Sequence, residues 1–374
     1  MQHYYELERR LREQFAMPPT EELQALAREC VGSEADLSTG NPRPVLWQSV
    51  WRDPLPASSA QPAALDVSEY ALQIYLETGD AERGMRLAAA LIHYWNLQGQ
   101  LQQGYVWLRQ LLALPAAIQA PADARALALC ALGIAATSRH DFEEATAAHR
   151  QSLLLARTQN ERRIMADNLR GLGTIALRQQ KYADAQTQFS LCLQVGEALQ
   201  DQGIMADAWT GIGEVARFRQ EYDTAEEAHR KALSLRLALG RKERAAQSIM
   251  NLGIVASRRE QLEEAGTRLR ESLNQLRFRG SRVVIADCLM EIAGVCGAQG
   301  EPWHAVCLLS AMTRLREEIA APLPLADQPD YVRFLKKARS AVSREDFTQA
   351  WEQGRSLPLE AILTLAMKET HIPE

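Results

Sequence analysis

Large apolar, small and polar positions recur along this chain in a fixed phase. The stretch "GLGTIALRQQKYADA" at 171–185 returns forty residues later as "GIGEVARFRQEYDTA" and forty after that as "NLGIVASRREQLEEA". Gly133, Gly173, Gly213 and Gly253 mark the series and Ala293 continues it, each preceded by an aliphatic residue: Leu132, Leu172, Ile212, Leu252 or Ile292. Nine residues after each glycine stands Phe142, Tyr182, Tyr222 or Leu262, and three further on an alanine, Ala145, Ala185, Ala225, Ala265 and then Ala305. Leu153, Leu193, Leu233 and Leu273 keep the same interval. Such a period identifies a stack of repeated units that bury their apolar faces against one another.

Each unit predicts two helices. In 162–180 the residues Ile164, Met165, Leu169, Leu172, Ile175 and Ala176 fall at helical spacing. A polar corner such as "RQQK" or "RRE" follows, and a second helix starts near the aromatic position. Glycine inside a helix costs about 1 kcal/mol against alanine, so its return at one register predicts a close helix contact, with the alanine of the second helix opposite. The large apolar residue is expected to fill the gap toward the neighbouring unit. His149 and His229, both in "AHR" and eighty residues apart, are read as outer-face residues of second helices, too far apart to share a metal.

The pattern resembles the tetratricopeptide repeat, at a period of forty rather than the family's thirty-four residues, so each helix is expected to be about one turn longer. The resemblance covers roughly 66–320 and about six helix pairs. An earlier unit, 91–115, places Leu101 and Gly104 where Tyr182 and Ala185 stand later, and the first and last units are degraded as end units are. The expected fold is all-α: a right-handed superhelical solenoid of helix pairs of about forty residues, closed by a C-terminal helical cap.

The cap is read in 321–374, where Pro322, Pro324, Pro329 and Pro358 break the chain into short helices with Tyr331, Phe334, Leu335, Phe347 and Trp351 on apolar faces. Leu315, Arg316, Glu317, Ala321–Pro324, Asp330, Tyr331, Phe347, Ala350, Trp351, Gly354 and Leu357 resemble the end of the tetratricopeptide sensor array in bacterial STAND-type ATPase transcriptional regulators. Residues 1–30, through Tyr4, Leu7, Leu11, Pro18, Pro19, Glu21 and Leu26, resemble the last helices of a bacterial transcriptional-activator domain, with a plain amphipathic hairpin as the alternative. A Pro- and Ser-rich linker is expected over 31–65, with Trp47 and Trp51 placed to pack back on the array. The chain has no GxxxxGK[ST] loop, so the ATPase of those regulators has no counterpart here.

Composition narrows the function. A formal net charge of −5 argues against a surface that coats nucleic acid. No apolar run reaches the about 18 residues that span a membrane, and the charged start "MQHYYELERR" is no signal peptide. The six cysteines lack CxxC spacing and are expected as buried, reduced thiols of a cytoplasmic protein. No Ser/His/Asp, Cys/His or paired-carboxylate arrangement stands out, so neither catalysis, a cofactor nor a metal is expected.

The resemblance implies that the first helices line a concave face and that their second, fifth, ninth and thirteenth positions meet a ligand. Counting Gly173 as the eighth, these are Asp167, Arg170, Thr174 and Arg178; Asp207, Thr210, Glu214 and Phe218; Gln247, Met250, Ile254 and Arg258; and Asp287 and Met290. A mixed wall of this kind suits a peptide or partner helix, with arginines pairing carboxylates and Met250, Met290 and Phe218 supplying apolar contact. The plain alternative is a solvated helix face. The expected function is a non-enzymatic interaction and sensing module of a bacterial signalling or transcriptional regulator, with a protein or peptide partner. The alternative is a small-molecule inducer receptor. Direct nucleic-acid binding and membrane contact are not expected.

Overall fold

The structure is a computed structural model that describes residues 61–277, 281–319, 321, 323–324 and 327–368. The activator-like segment, Trp47, Trp51 and the linker up to residue 60 lie outside the described residues. Within them the secondary structure is helical and contains no strand. Helix α1 (Gln61–Thr78) packs on α2 (Ala81–Gln98), which pairs with α3 (Leu101–Leu112). A short 3-10 turn, Pro115–Ile118, leads to five further pairs. These are α4 (Ala122–Ser138) with α5 (Phe142–Thr158), α6 (Arg162–Arg178) with α7 (Tyr182–Leu199), α8 (Gln202–Phe218) with α9 (Tyr222–Ala238), α10 (Lys242–Arg258) with α11 (Leu262–Leu276), and α12 (Arg282–Ala298) with α13 (Pro302–Glu318). Each first helix also packs on the second helix of the unit before it, which makes the array a tetratricopeptide-type solenoid.

The corners keep a period of twenty. His140, Asn160, Gln180, Gln200, Gln220, Gly240, Glu260 and Gly300 all take the left-handed conformation, with φ between 52° and 88°. Each ends a helix. The amides of Lys181 and Glu221 then reach back to the carbonyls of Ala176 and Ala216 at 2.8 and 2.9 Å, the bond that closes a helix end behind a left-handed residue. The sequence marks these corners with polar residues more often than with glycine.

The repeated glycines have a specific occupant. A Cβ added at Gly133 would stand 2.6 Å from the ring of His149, at Gly173 2.8 Å from Phe189, at Gly213 2.6 Å from His229 and at Gly253 2.9 Å from Leu269. The side chain that fills the space comes from the second helix, four residues after the buried alanine and therefore on its face. It is shared with the next unit, for Gly171 also abuts His149 and Gly211 abuts Phe189. His149 and His229 are thus 0% exposed. The outer-face expectation fails for both, because their register, not their polarity, decides where they lie. His149 meets the Oδ1 of buried Asn168 at 2.9 Å, and burial brings its pKa down to about 4. Replacing Gly213 by leucine is expected to cost about 1–3 kcal/mol through overpacking against His229; a urea melt showing a change of about half a kcal/mol, as at an exposed site, refutes that contact.

Between units the large apolar residues act as expected: Phe142 packs with Ile175 of the following unit and Tyr222 with Val255. At the far end α13 packs against all three helices that follow, α14 (Gln328–Ser340), α15 (Arg344–Ser356) and α16 (Leu359–Met367). Tyr331, Phe334, Leu335, Phe347 and Trp351 all join or line the core that runs from α10 to the end. The cap does more than cover the last unit. Helix α14 also lies on α12, with the Phe334 ring against Gly294, and its Asp330 reaches Arg258 on α10.

Candidate functional site: the inner groove

Charged residues on first helices feel one another across several units. Arg178 on α6 is influenced by Asp327, just ahead of α14, and by Asp287 on α12, three units further on. With helix axes about 8–10 Å apart, a straight stack would separate α6 from α12 by more than two Debye lengths. The array therefore curls, bringing charges of α6 and α12 within reach of one another. His93 on α2 reports the same curvature. Burial, with Arg170 on α6 and Arg244 on α10 adding to it and Asp167 and Asp207 opposing, lowers its pKa to about 4.

The expected groove residues fall into two groups. Asp167, Arg170, Thr174, Arg178, Asp207, Thr210, Glu214, Phe218, Gln247 and Asp287 are half-buried. Arg170 pairs with Asp167 at 3.1 Å, and the hydroxyls of Thr174 and Thr210 donate to the carbonyls of Arg170 and Ala206 in their own helices. Phe218 stacks on Tyr182 at 6.0 Å and carries the Arg217 guanidinium on its ring. In the second group, Met250 and Met290 are each 4% exposed and belong to the core continuous with the cap; Ile254 joins them there. Arg258 donates to both oxygens of Glu291, at 3.1 and 3.0 Å, and to Asp330 at 2.6 Å. Of the positions on α10 and α12 read as ligand contacts, Met250, Ile254 and Met290 are thus core residues and Arg258 is held by Glu291 and by Asp330 of α14.

Several groove residues escaped the register. Arg236 on α9 donates to Asp207 at 3.1 Å and to the Ser248 hydroxyl at 2.8 Å, and Arg244 adds a bond to Asp207 at 2.9 Å. Arg316 on α13 holds Asp287 in the same way, twenty-nine residues apart as in the Asp207–Arg236 pair. That spacing, repeated after eighty residues, was present in the sequence as a signal. Arg217 binds Glu214 at 2.8 Å and stands 3.9 Å from Asp327.

These pairs sort the carboxylates. Burial opposes the Asp207 charge, but Arg244, Arg170 and Arg236 overcome it and hold its carboxyl well below the usual range. Burial likewise opposes Glu214, and Arg217 wins. Asp287 and Asp327 go the other way. Burial pushes Asp287 up to about 6 despite Arg316, and pushes Asp327 up to about 7 despite Arg217, with Asp287, Glu214 and Glu291 repelling it. A carboxylate whose pKa is raised by folding binds a proton more tightly in the folded chain. Its contribution to stability is therefore full near its unfolded pKa and is lost as pH rises toward the folded value. Asp327→Asn is accordingly expected to raise stability at pH 8 by about 1–2 kcal/mol and to change little near pH 4. Urea melts at the two pH values check this, and equal effects at both would show that Asp327 is not strained by its charge.

Cys130, Cys192, Cys288, Cys296 and Cys307 are buried free thiols, and burial pushes Cys192 up to about 12. Among the described residues no cluster of His, Cys, Asp or Glu could hold a metal, and no helix is long and apolar enough to cross a membrane.

The comparisons with known proteins agree with this architecture. A model of the tetratricopeptide repeat matches residues 204–277. Those residues span the two helix pairs α8–α9 and α10–α11. The fold is similar to a Rap protein complexed with competence and sporulation factor, at 11% identity and a TM-score of 0.55 over 93% of this chain and 98% of that one. It is also similar to aspartyl phosphate phosphatase F from Bacillus subtilis, at 11% identity and a TM-score of 0.53 over 100% and 95% of the two chains. The apo form of RapI follows at 11% identity and 0.50, covering 91% and 96%. At such identities the likeness is one of fold. No curated protein matches the sequence.

Proposed function

We propose that this chain is a non-enzymatic interaction and sensing module that takes a peptide or a segment of a partner protein in its inner groove. The observation that carries the reading is the convergence of half-buried charges of both signs, from α6, α8 and α12, on one curved surface. Such a surface recognises a ligand that itself carries both signs. Acidic groups such as Asp207 and Glu214, which stay ionised, disfavour a phosphate backbone and support a protein ligand over nucleic acid. The fold supports the same reading, since one similar structure is of a Rap protein complexed with competence and sporulation factor. The resemblance of the chain's two ends to bacterial transcriptional regulators supports a place in such a regulator, in the cytoplasm, with the array flanked by an activator-like segment at 1–30 and the cap at 321–374.

The test is a selection of phage-displayed random dodecapeptides on the full chain. Peptides that use the groove lose affinity when Thr210 on its floor becomes tryptophan and keep it when the exposed Leu154 on α5 becomes arginine. Enriched peptides that bind the Thr210→Trp protein unchanged, or a selection that yields none, overturn the groove as the binding surface.

A further inference from the structure

We infer that Asp327, immediately ahead of α14, completes the ligand site together with Arg178. Arg178 on α6 receives a carboxylate and Asp327 receives an ammonium or guanidinium, both from one short charged segment of the bound peptide. This rests on the groove reading above and adds the chemistry of what is recognised. The other arginines and carboxylates described along the groove are committed to one another in ion pairs, most of them at 2.6–3.1 Å. Two are not. Arg178 donates one hydrogen bond, to the Thr137 carbonyl at 3.0 Å, and has no carboxylate within ion-pair distance among the described residues. Asp327 has only Arg217, at 3.9 Å, and that guanidinium is already bound to Glu214 at 2.8 Å.

Asp327 acts electrostatically on Arg178, and Arg217 on Asp327. Arg178 and Asp327 lie within electrostatic reach but do not touch. An occupant of one sign meets repulsion: an anion from Asp327 and Asp287, a cation from Arg178 and Arg217. An occupant that presents a carboxylate toward α6 and a cation toward Asp327 satisfies both and replaces a charge-to-charge gap with two charge-assisted hydrogen bonds. Arg258 donates to Asp330 at 2.6 Å, which anchors the first turn of α14 just after Asp327.

The experiment uses the groove-dependent dodecapeptides selected above, titrated against the full chain by fluorescence anisotropy. Arg178→Gln and a peptide acid-to-amide change are each expected to weaken binding about tenfold and, combined, to cost little more than either alone. Asp327→Asn is expected to show the same non-additivity with removal of the peptide's basic group, while Arg178→Lys and Asp327→Glu retain part of the affinity. Binding of the basic group should also strengthen between about pH 6 and about pH 8 as Asp327 ionises among Arg178, Arg217, Glu214, Asp287 and Glu291, and Asp327→Asn should flatten that rise. Circular dichroism confirms that each variant is folded. If both variants bind every groove-dependent peptide as the wild type does, or if the losses simply add, the inference falls and the groove reading stands. If the peptides ignore Thr210→Trp, the groove reading falls and takes this inference with it.

Discussion

Glu291→Ala is expected to remove about 3 kcal/mol of stability. Glu291 and Arg258 lie on consecutive first helices with side chains 4% and 9% exposed, and the carboxylate takes both guanidinium donors at 3.0–3.1 Å. Taking away the acid leaves a nearly buried cation with Asp330 as its one remaining carboxylate. The change also relieves repulsion on Asp287 and Asp327, but those groups feel Glu291 only through space, whereas Arg258 touches it. The exposed pair Arg355–Glu317, at 41% and 54% exposure, serves as the control, and Glu317→Ala should cost less than about 1 kcal/mol. Replacing Arg258 and Glu291 together by methionine and leucine should recover most of the loss, since a buried pair often contributes little net stability compared with apolar side chains. Urea denaturation of the four proteins settles the matter. A loss in Glu291→Ala no larger than in Glu317→Ala means that the pair is solvated and that α14 does not seal this end of the groove.

The repeat, the two helices per unit and the cap were legible because each rests on a local pattern that packing must respect. A glycine every forty residues forces close approach, and an alanine twelve residues later shares the tight contact. The misreading of His149 and His229 shows where residue type misleads. Their polarity suggested solvent, but a position four residues beyond a buried alanine lies on the buried face whatever occupies it, and Phe189 and Leu269 fill the same place in other units. The polar corners were legible, but not their left-handed backbone, because Gln180, Gln200, Gln220 and Glu260 adopt a conformation usually marked by glycine. On α6 and α8 the register picked half-buried positions that carry charges of both signs. On α10 and α12 it picked Met250, Ile254 and Met290, which lie in the core, and Arg258, which Asp330 of α14 reaches. Asp327 had no signal at all. Its place depends on how α14 docks on α12 and α13, which no spacing in the sequence encodes.

The docking of α15 supplies the other large effect: Gly354→Ala is expected to cost about 3 kcal/mol. A Cβ at Gly354 would stand 2.2 Å from the carbonyl oxygen of Cys307 and 2.9 and 3.0 Å from that residue's carbonyl carbon and Cα. All three are backbone atoms in the middle of α13, so no side chain can turn aside and α15 must lift away. Two bonds would be strained with it, from the Cys307 thiol to the Ala350 carbonyl at 3.1 Å and from the Ser310 hydroxyl to the Trp351 carbonyl. The core beneath includes Leu308 and Leu309, both essentially unexposed, with Phe347 and Trp351 packed against the same cluster. The variant should therefore bind an apolar dye more strongly and be cut sooner by protease in α15 and α16, in addition to melting earlier. Gly300→Ala is the informative comparison. Gly300 has φ 88° and open space around it, so alanine there meets only backbone strain, about 1 kcal/mol. If Gly354→Ala loses no more than Gly300→Ala, the α13–α15 contact is looser than 2.2 Å implies and the cap does not hold the end of the array shut.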